Sequence, residues 1–203
     1  MKLIGMLDSP FVRRTLVSAH LMNLSLDNEQ ISVFRQADDF RALNPLVKAP
    51  TLVFDDGTVM VESQIIVSYL ETLAAPSKRL TPTDPEARLR CMRLTSVALA
   101  ACDKAVQLYY ETRLRPEAAR WPEWIARKSD QLRAAFDLLE PEVPDAGWLS
   151  ATRDPNLADV SIAVAWRFAR HAVPELIDAE RCPRITRHSA EAEALPAFQA
   201  ADF

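Results

Sequence analysis

Glycine is scarce in this chain. Gly5, Gly57 and Gly147 are the only three among 203 residues. Glycines so far apart supply neither a phosphate-cradling loop nor a dinucleotide fingerprint, which excludes nucleotide-dependent enzymes of the common types. Cysteine and histidine are equally thin. Cys91, Cys102 and Cys182 lack C-x-x-C or metal-ligand spacing, and His20, His171 and His188 are scattered, so no metal is expected. Cys91 and Cys102 fall in one apolar helical pattern, the usual setting of buried thiols.

No block of Lys and Arg and no basic aromatic stripe is present, and the formal net charge is −4. Nucleic acid is therefore not an expected partner. Long apolar runs are missing as well. The opening K-L-I-G-M-L stops at Asp8, too short for a signal-peptide core, and no segment has the length to span a bilayer. A cytoplasmic protein without a membrane partner is the expectation. With 49% hydrophobic and 26% charged residues, the chain has the composition of a folded globular protein.

Two grammars divide the sequence near residue 78. Residues 2–6, 29–34, 51–55 and 58–61 read as strands, the last two joined into a hairpin by Asp55-Asp56-Gly57. Helical periodicity occupies 10–22, 37–43 and 63–74, giving β-α-β-α-β-β-α. Pro76 and T-P-T-D-P at 81–85 break the pattern. Beyond them, 85–113, 117–140, 156–171 and a weaker 181–194 read as helices punctuated by prolines. The expected organisation is an α+β domain at 1–77, a linker at 78–84 and an all-α helical domain at 85–203.

Three short stretches can carry chemistry. Ser9-Pro10 opens a helix directly after the first strand. Ser9 serves either as a plain N-cap or, by the same geometry, as a hydroxyl donor to an anion such as a thiolate at the positive end of the helix. Pro50, in Asn44-Pro45-Leu46-Val47-Lys48-Ala49-Pro50-Thr51-Leu52, is either a strand-start device or a cis-proline. In the cis form Ala49 would turn its backbone outward to pair with an extended ligand. Glu62-Ser63, at the start of the third helix, is either a structural cap or a two-sign site for an α-amino acid group. Ser9 has no G-x-S-x-G around it and no histidine placed to serve as its base, which disfavours a serine hydrolase.

Taken together, "SPFVRR", "NPLVKAPTL" and "ESQIIVSYLE" resemble the glutathione S-transferase family, in particular its small bacterial members with a Ser-Pro-Phe/Tyr-Val-Arg motif. The resemblance runs over essentially the whole chain. It implies a thioredoxin-like N-terminal domain, an all-helical C-terminal domain, glutathione as co-substrate, a homodimer and a detoxifying conjugation of glutathione to a small electrophile. By position, Ser9 would stabilise the glutathione thiolate, Ala49 would pair with the cysteinyl part and Pro50 would be the cis-proline. Glu62 and Ser63 would hold the γ-glutamyl group and Lys48 the glycine carboxylate, with Phe11 and Arg35 nearby. Arg35 reads equally well as a solvated loop charge.

Further expectations follow from the same resemblance. Tyr109, Tyr110, Arg113 and Trp166 are candidates for the second-substrate cleft, although aromatic residues at helical spacing are also ordinary core. Asp103 is a candidate for an acidic residue lent by the dimer partner. Serine stands where thioredoxin-type members carry cysteine, so disulfide exchange through a protein thiol is not supported. The alternatives are a glutathione-dependent isomerase or lyase, with Arg13 or Arg113 holding an acidic substrate, and a non-catalytic glutathione-binding protein. In "DPNLADVSIAVAW" at 154–166, Asn156 and Asp159 are expected to cap a buried helix.

Overall fold

The computed structural model describes residues 1–151 and 153–203. Contacts divide the chain into two compact units, Met1–Leu80 with Leu195–Phe203, and Thr81–Ala194. The first contains β1 (Lys2–Ile4), α1 (Pro10–Leu21), β2 (Asp27–Glu29), α2 (Ala37–Leu43), β3 (Thr51–Val53), β4 (Val59–Val61) and α3 (Ser63–Leu73). Its sheet has the order β2-β1-β3-β4, with β1 parallel to β2 and the other pairs antiparallel. This is a thioredoxin-like domain, and a helical domain follows it.

Alternation along the strands explains the layers. Ile4 turns to one face, where it clusters with Ile31 and with Phe40 of α2. Leu3 and Leu52, directly opposite each other in the sheet, are fully buried on the other face. Helices α1 and α3 contact each other and lie against β1 and β4 respectively.

The second strand departs from its expected position. The apolar residues at 31–34 invite a strand at 29–34, yet the ladder uses Asp27, Asn28 and Glu29. As an edge strand, β2 buries little and tolerates a polar sequence. Its register is pinned by Asn28, whose amide donates to the Leu3 and Gly5 carbonyls at 3.0 Å each. Ile31 is buried after the strand has ended.

The second unit holds α4 (Pro85–Tyr109), α5 (Pro122–Leu139), α6 (Leu157–Ala172) and α7 (Pro183–Glu193). Proline at the first helical position starts α4, α5 and α7, because its fixed φ suits that position and its missing N–H is not needed there. The expected helix at 85–113 gives way at Tyr110–Leu114 to a π-helical turn, and that at 117–140 begins only at Pro122. Helix α6 is buried on almost every side.

The start of α6 has the expected capping box. Asn156 Oδ1 accepts from Ala158 and Asp159 N–H, while Asp159 Oδ2 accepts from Asn156 N–H at 2.8 Å. The other Asp159 oxygen accepts from Leu149 N–H at 2.8 Å, fixing the preceding loop. His188 of α7 places Nε2 3.2 Å from the Asp159 carbonyl oxygen, and its ring meets Trp148 edge to face. Burial pushes the His188 imidazole below its usual range. For Asp159, burial pushes the carboxyl up against the opposing pull of the Leu149 and Asn156 N–H donors.

The terminal segment, which includes α8 (Pro196–Gln199), belongs to the first unit and not to the expected helical domain at 85–203. Arg13 explains its position. The guanidinium is 1% exposed, Nε donates to the Ala201 carbonyl at 2.9 Å, and Nη2 donates to the Phe198 carbonyl at 3.4 Å. The rings of Phe198 and Phe203 lie 5.5 and 5.3 Å from the guanidinium carbon. His20 Nδ1 adds a contact to the Ala197 carbonyl oxygen at 3.3 Å.

Two outcomes are expected from this packing. Arg13→Ala leaves two carbonyls without their charged donor and lowers stability by about 1.5–3 kcal/mol. Arg13→Lys restores little of it, since an ammonium lacks the planar fork. Urea midpoints, with proteolysis of residues 195–203 as a local readout, check both variants. For His188, the unfolded chain takes up a proton near 6.5 while the buried ring resists it. Stability therefore falls as pH drops through that region. Between pH 7.5 and 5.5 the wild-type midpoint should fall further than that of His188→Gln.

Candidate functional site

Ser9 precedes α1 in extended conformation, with φ −73° and ψ 123°. Its carbonyl accepts the first helical hydrogen bond from Arg13 N–H at 2.9 Å, and its Oγ accepts from Val12 N–H at a long 3.5 Å. Pro10 follows in the first helical position. The hydroxyl is therefore a weak cap, and its own proton is not used by that contact. Cap and anion donor are compatible roles here, because one uses a lone pair of the oxygen and the other its hydrogen. Ser9 is half-buried, and so is Phe11 in the first turn of α1.

The loop before β3 is ordered from within. Buried Asn44 accepts from Leu46 N–H at 3.0 Å and donates through Nδ2 to Thr51 Oγ1 at 2.8 Å. Thr51 Oγ1 in turn donates to the Lys48 carbonyl at 2.7 Å. These bonds bracket Ala49, and the Ala49–Pro50 peptide is cis. Gly5 brings this loop to α1. A Cβ at Gly5 would meet Val12 Cγ2 at 2.6 Å and Ala49 Cβ at 3.0 Å, and its φ of +140° already favours glycine.

At α3 the geometry differs from the expected serine cap. Glu62 occupies the N-cap position and Ser63 is the first helical residue. Glu62 has φ 72° and ψ 110°, a conformation that costs a non-glycine residue on the order of 1–3 kcal/mol. Its carboxylate pairs with Lys48 Nζ, and both side chains are about half-exposed. Ser63 is buried, and Arg14 Nη1 donates to its Oγ at 3.2 Å while Arg14 Nη2 donates to Gln64 Oε1 at 2.7 Å.

Ser9, Lys48, Ala49, Pro50, Glu62 and Ser63 are thus joined through Gly5, the Lys48–Glu62 pair and Arg14 within one unit. Arg35 lies in the loop before α2 with an exposed side chain. Tyr109, Tyr110, Arg113 and Trp166 belong to the helical unit. Tyr110 and Arg113 are exposed and Tyr109 is half-buried, with the two tyrosine rings edge to face at 6.4 Å. Trp166 does not offer the surface expected of a cleft residue. It is 1% exposed and packs edge-on against Phe136 at 4.9 Å, as core.

Three residues that order the site escaped the sequence reading. Asn44 and Thr51 were visible only as parts of a loop, although an Asn just before Pro is a turn signal. Arg14 carried no signal at all, since nothing in a sequence tells a buried arginine from a solvated one. Among the described residues, no group of three or more His, Cys, Asp or Glu side chains could hold a metal ion, and no helix is long and apolar enough to cross a membrane.

Comparison with known proteins places the chain in a family. Residues 3–78 match the family model described as glutathione S-transferase, N-terminal domain. The GST-like protein YibF of Escherichia coli is 32% identical over 168 residues, which cover 81% of this chain and 80% of that protein. Maleylacetoacetate isomerase of Pseudomonas aeruginosa is 30% identical, covering 99% of this chain and 95% of its own. Among solved structures, a glutathione S-transferase from Methylobacterium radiotolerans in complex with glutathione sulfonate has a TM-score of 0.90. It is 26% identical and covers 98% of this chain and 93% of that one. The chain belongs to the glutathione S-transferase family.

Proposed function

We propose that this protein is a glutathione transferase that joins the glutathione thiolate to a small electrophile. The observation that carries the reading is the convergence in one unit of the Ser9 hydroxyl at the start of α1, the Ala49 backbone before cis-Pro50, and Glu62-Ser63 at the start of α3. These are the partners that a thiolate, a peptide backbone and an α-amino acid group require.

In this reading the cysteinyl backbone of glutathione pairs with Ala49, and Ser9 donates its free proton to the sulfur. A thiol with an ordinary pKa of ~8.5 is brought toward neutrality by that donor and by the positive end of α1. The thiolate attacks an electrophilic carbon, forming a C–S bond, and the displaced electron pair leaves with the departing group or is protonated. Lys48 and Glu62 exchange their mutual ion pair for the glycine carboxylate and the γ-glutamyl ammonium. A half-exposed pair is worth less than about 1 kcal/mol, so its separation costs little. Ser63 and the first N–H groups of α3 take the γ-glutamyl carboxylate, with Phe11 and Arg35 beside the ligand. Tyr109, Tyr110 and Arg113 are the residues assigned to the electrophile. The reading takes the protein to be a cytoplasmic homodimer acting in detoxification.

A glutathione-dependent isomerase is the second reading, favoured by full-length similarity to the Pseudomonas aeruginosa isomerase. An acidic substrate would need a cation. Arg13 is committed to the carbonyls of Ala201 and Phe198, which leaves exposed Arg113 for that task.

Conjugation of glutathione to a chromogenic electrophile, with isomerisation of maleylacetoacetate assayed in parallel, separates these readings. Ser9→Ala should lower the conjugation rate at pH 7 by roughly 10- to 100-fold, the weight of one hydrogen bond to a charged group. Its pH profile should move to higher pH, because the anion has lost a donor. Glutathione binding by calorimetry should persist. An unchanged rate in Ser9→Ala refutes the assigned role, and isomerisation without conjugation supports the second reading.

A further inference from the structure

The oxygen of Ser63 is held in an unusual way for a serine at a helix start. It does not cap its own helix, and instead accepts from Arg14 Nη1 at 3.2 Å. A guanidinium has donors and no acceptor. Ser63 therefore cannot return its proton to Arg14, and the O–H must point elsewhere. Gln64 is constrained in the same way, since its Oε1 accepts from Arg14 Nη2 at 2.7 Å. Both side chains are left presenting hydrogens.

The charge behind them adds to this polarity. Arg14 is 0% exposed, so its field reaches the amino end of α3 with little screening by salt. The first turn of α3 itself contains no acidic residue, and the Glu62 carboxylate just before it is paired with Lys48. Unpaired N–H groups and the helix dipole favour an anion at the same point.

We infer that Arg14 is a positioning residue that fixes the Ser63 hydroxyl as a donor and thereby makes the site select ligands with a carboxylate at that end. The inference rests on the glutathione reading, in which that group is the α-carboxylate of the γ-glutamyl residue. In this reading Arg14, being fully buried, does not itself contact the ligand. It acts through Ser63, and one bond polarises the next.

Calorimetry with three ligands tests this. Glutathione is compared with 4-aminobutyryl-Cys-Gly, which keeps the ammonium and lacks the carboxylate, and with glutaryl-Cys-Gly, which keeps the carboxylate and lacks the ammonium. Wild type should prefer glutathione over the aminobutyryl ligand by about tenfold or more. In Arg14→Lys and Arg14→Gln that preference should shrink to roughly twofold or threefold, while the preference of glutathione over glutaryl-Cys-Gly stays as in wild type. A purely structural role would weaken all three ligands alike, and that outcome overturns the inference. So does an Arg14 variant that keeps the full carboxylate preference.

Ser63→Ala supplies a second measurement should Arg14 variants fail to fold, because it leaves the buried cation in place. Its carboxylate preference should collapse as well, and an intact one overturns the inference. Adding Arg14→Lys to Ser63→Ala should cost no further preference. Failure of wild type to bind glutathione overturns the functional reading itself, and the Arg14 role with it.

Discussion

Two adjacent arginines that cannot reach water hold the thioredoxin-like unit together. Arg13 and Arg14 lie on α1 at 1% and 0% exposure, and a charge taken out of water is tolerated only when its donors are met. Successive residues on a helix are about 100° apart, so the two side chains leave α1 in different directions. One meets carbonyls of the terminal segment, and the other meets Ser63 and Gln64 at the start of α3. Rolling α1 about its axis would break both sets. The helix is therefore fixed in rotation by polar contacts as much as by its apolar face of Val12, Leu16 and Ala19.

That constraint reaches the proposed chemistry because Ser9 is the last residue before α1. A hydroxyl at a helix start can donate usefully only if the helix does not turn. Gly5 adds a second restraint, since nothing larger than its hydrogen fits between Val12 and Ala49. Strand β1, the amino end of α1 and the loop before β3 are thus brought together by a residue without a side chain.

Much of the frame was legible because it is written in local rules. Asp55-Asp56-Gly57 marks the hairpin, Ser9-Pro10 and Asn156-Asp159 mark helix starts, and each is where it was expected. What escaped depends on long-range partners. Strand β2 is polar because it is an edge, and its pairing with β1 is not visible in Asp27-Asn28-Glu29. Arg13 looked like a residue for an acidic substrate, and only the fold brings it to Ala201, 188 positions away. Trp166 looked like a cleft residue, but helix α6 is buried on nearly every side and the indole went with it. A single side chain cannot announce which face of a fully wrapped helix it will occupy.

The Glu62 backbone shows the same unit storing strain where the proposed ligand would bind. Its φ of 72° is unfavourable for any residue but glycine, and a glycine there would relieve it. Glycine would also remove the carboxylate that pairs with Lys48. In the proposed reading that carboxylate receives the γ-glutamyl ammonium, a few atoms from the carboxylate served by Ser63. An α-amino acid group carries both charges on one carbon, so its two receivers must lie close together in space, which adjacency in the chain provides. Glu62 in its strained conformation, followed at once by Ser63 with its oxygen tied to Arg14, is an arrangement that meets this demand. The backbone cost at one residue and the buried charge at another then have a single cause.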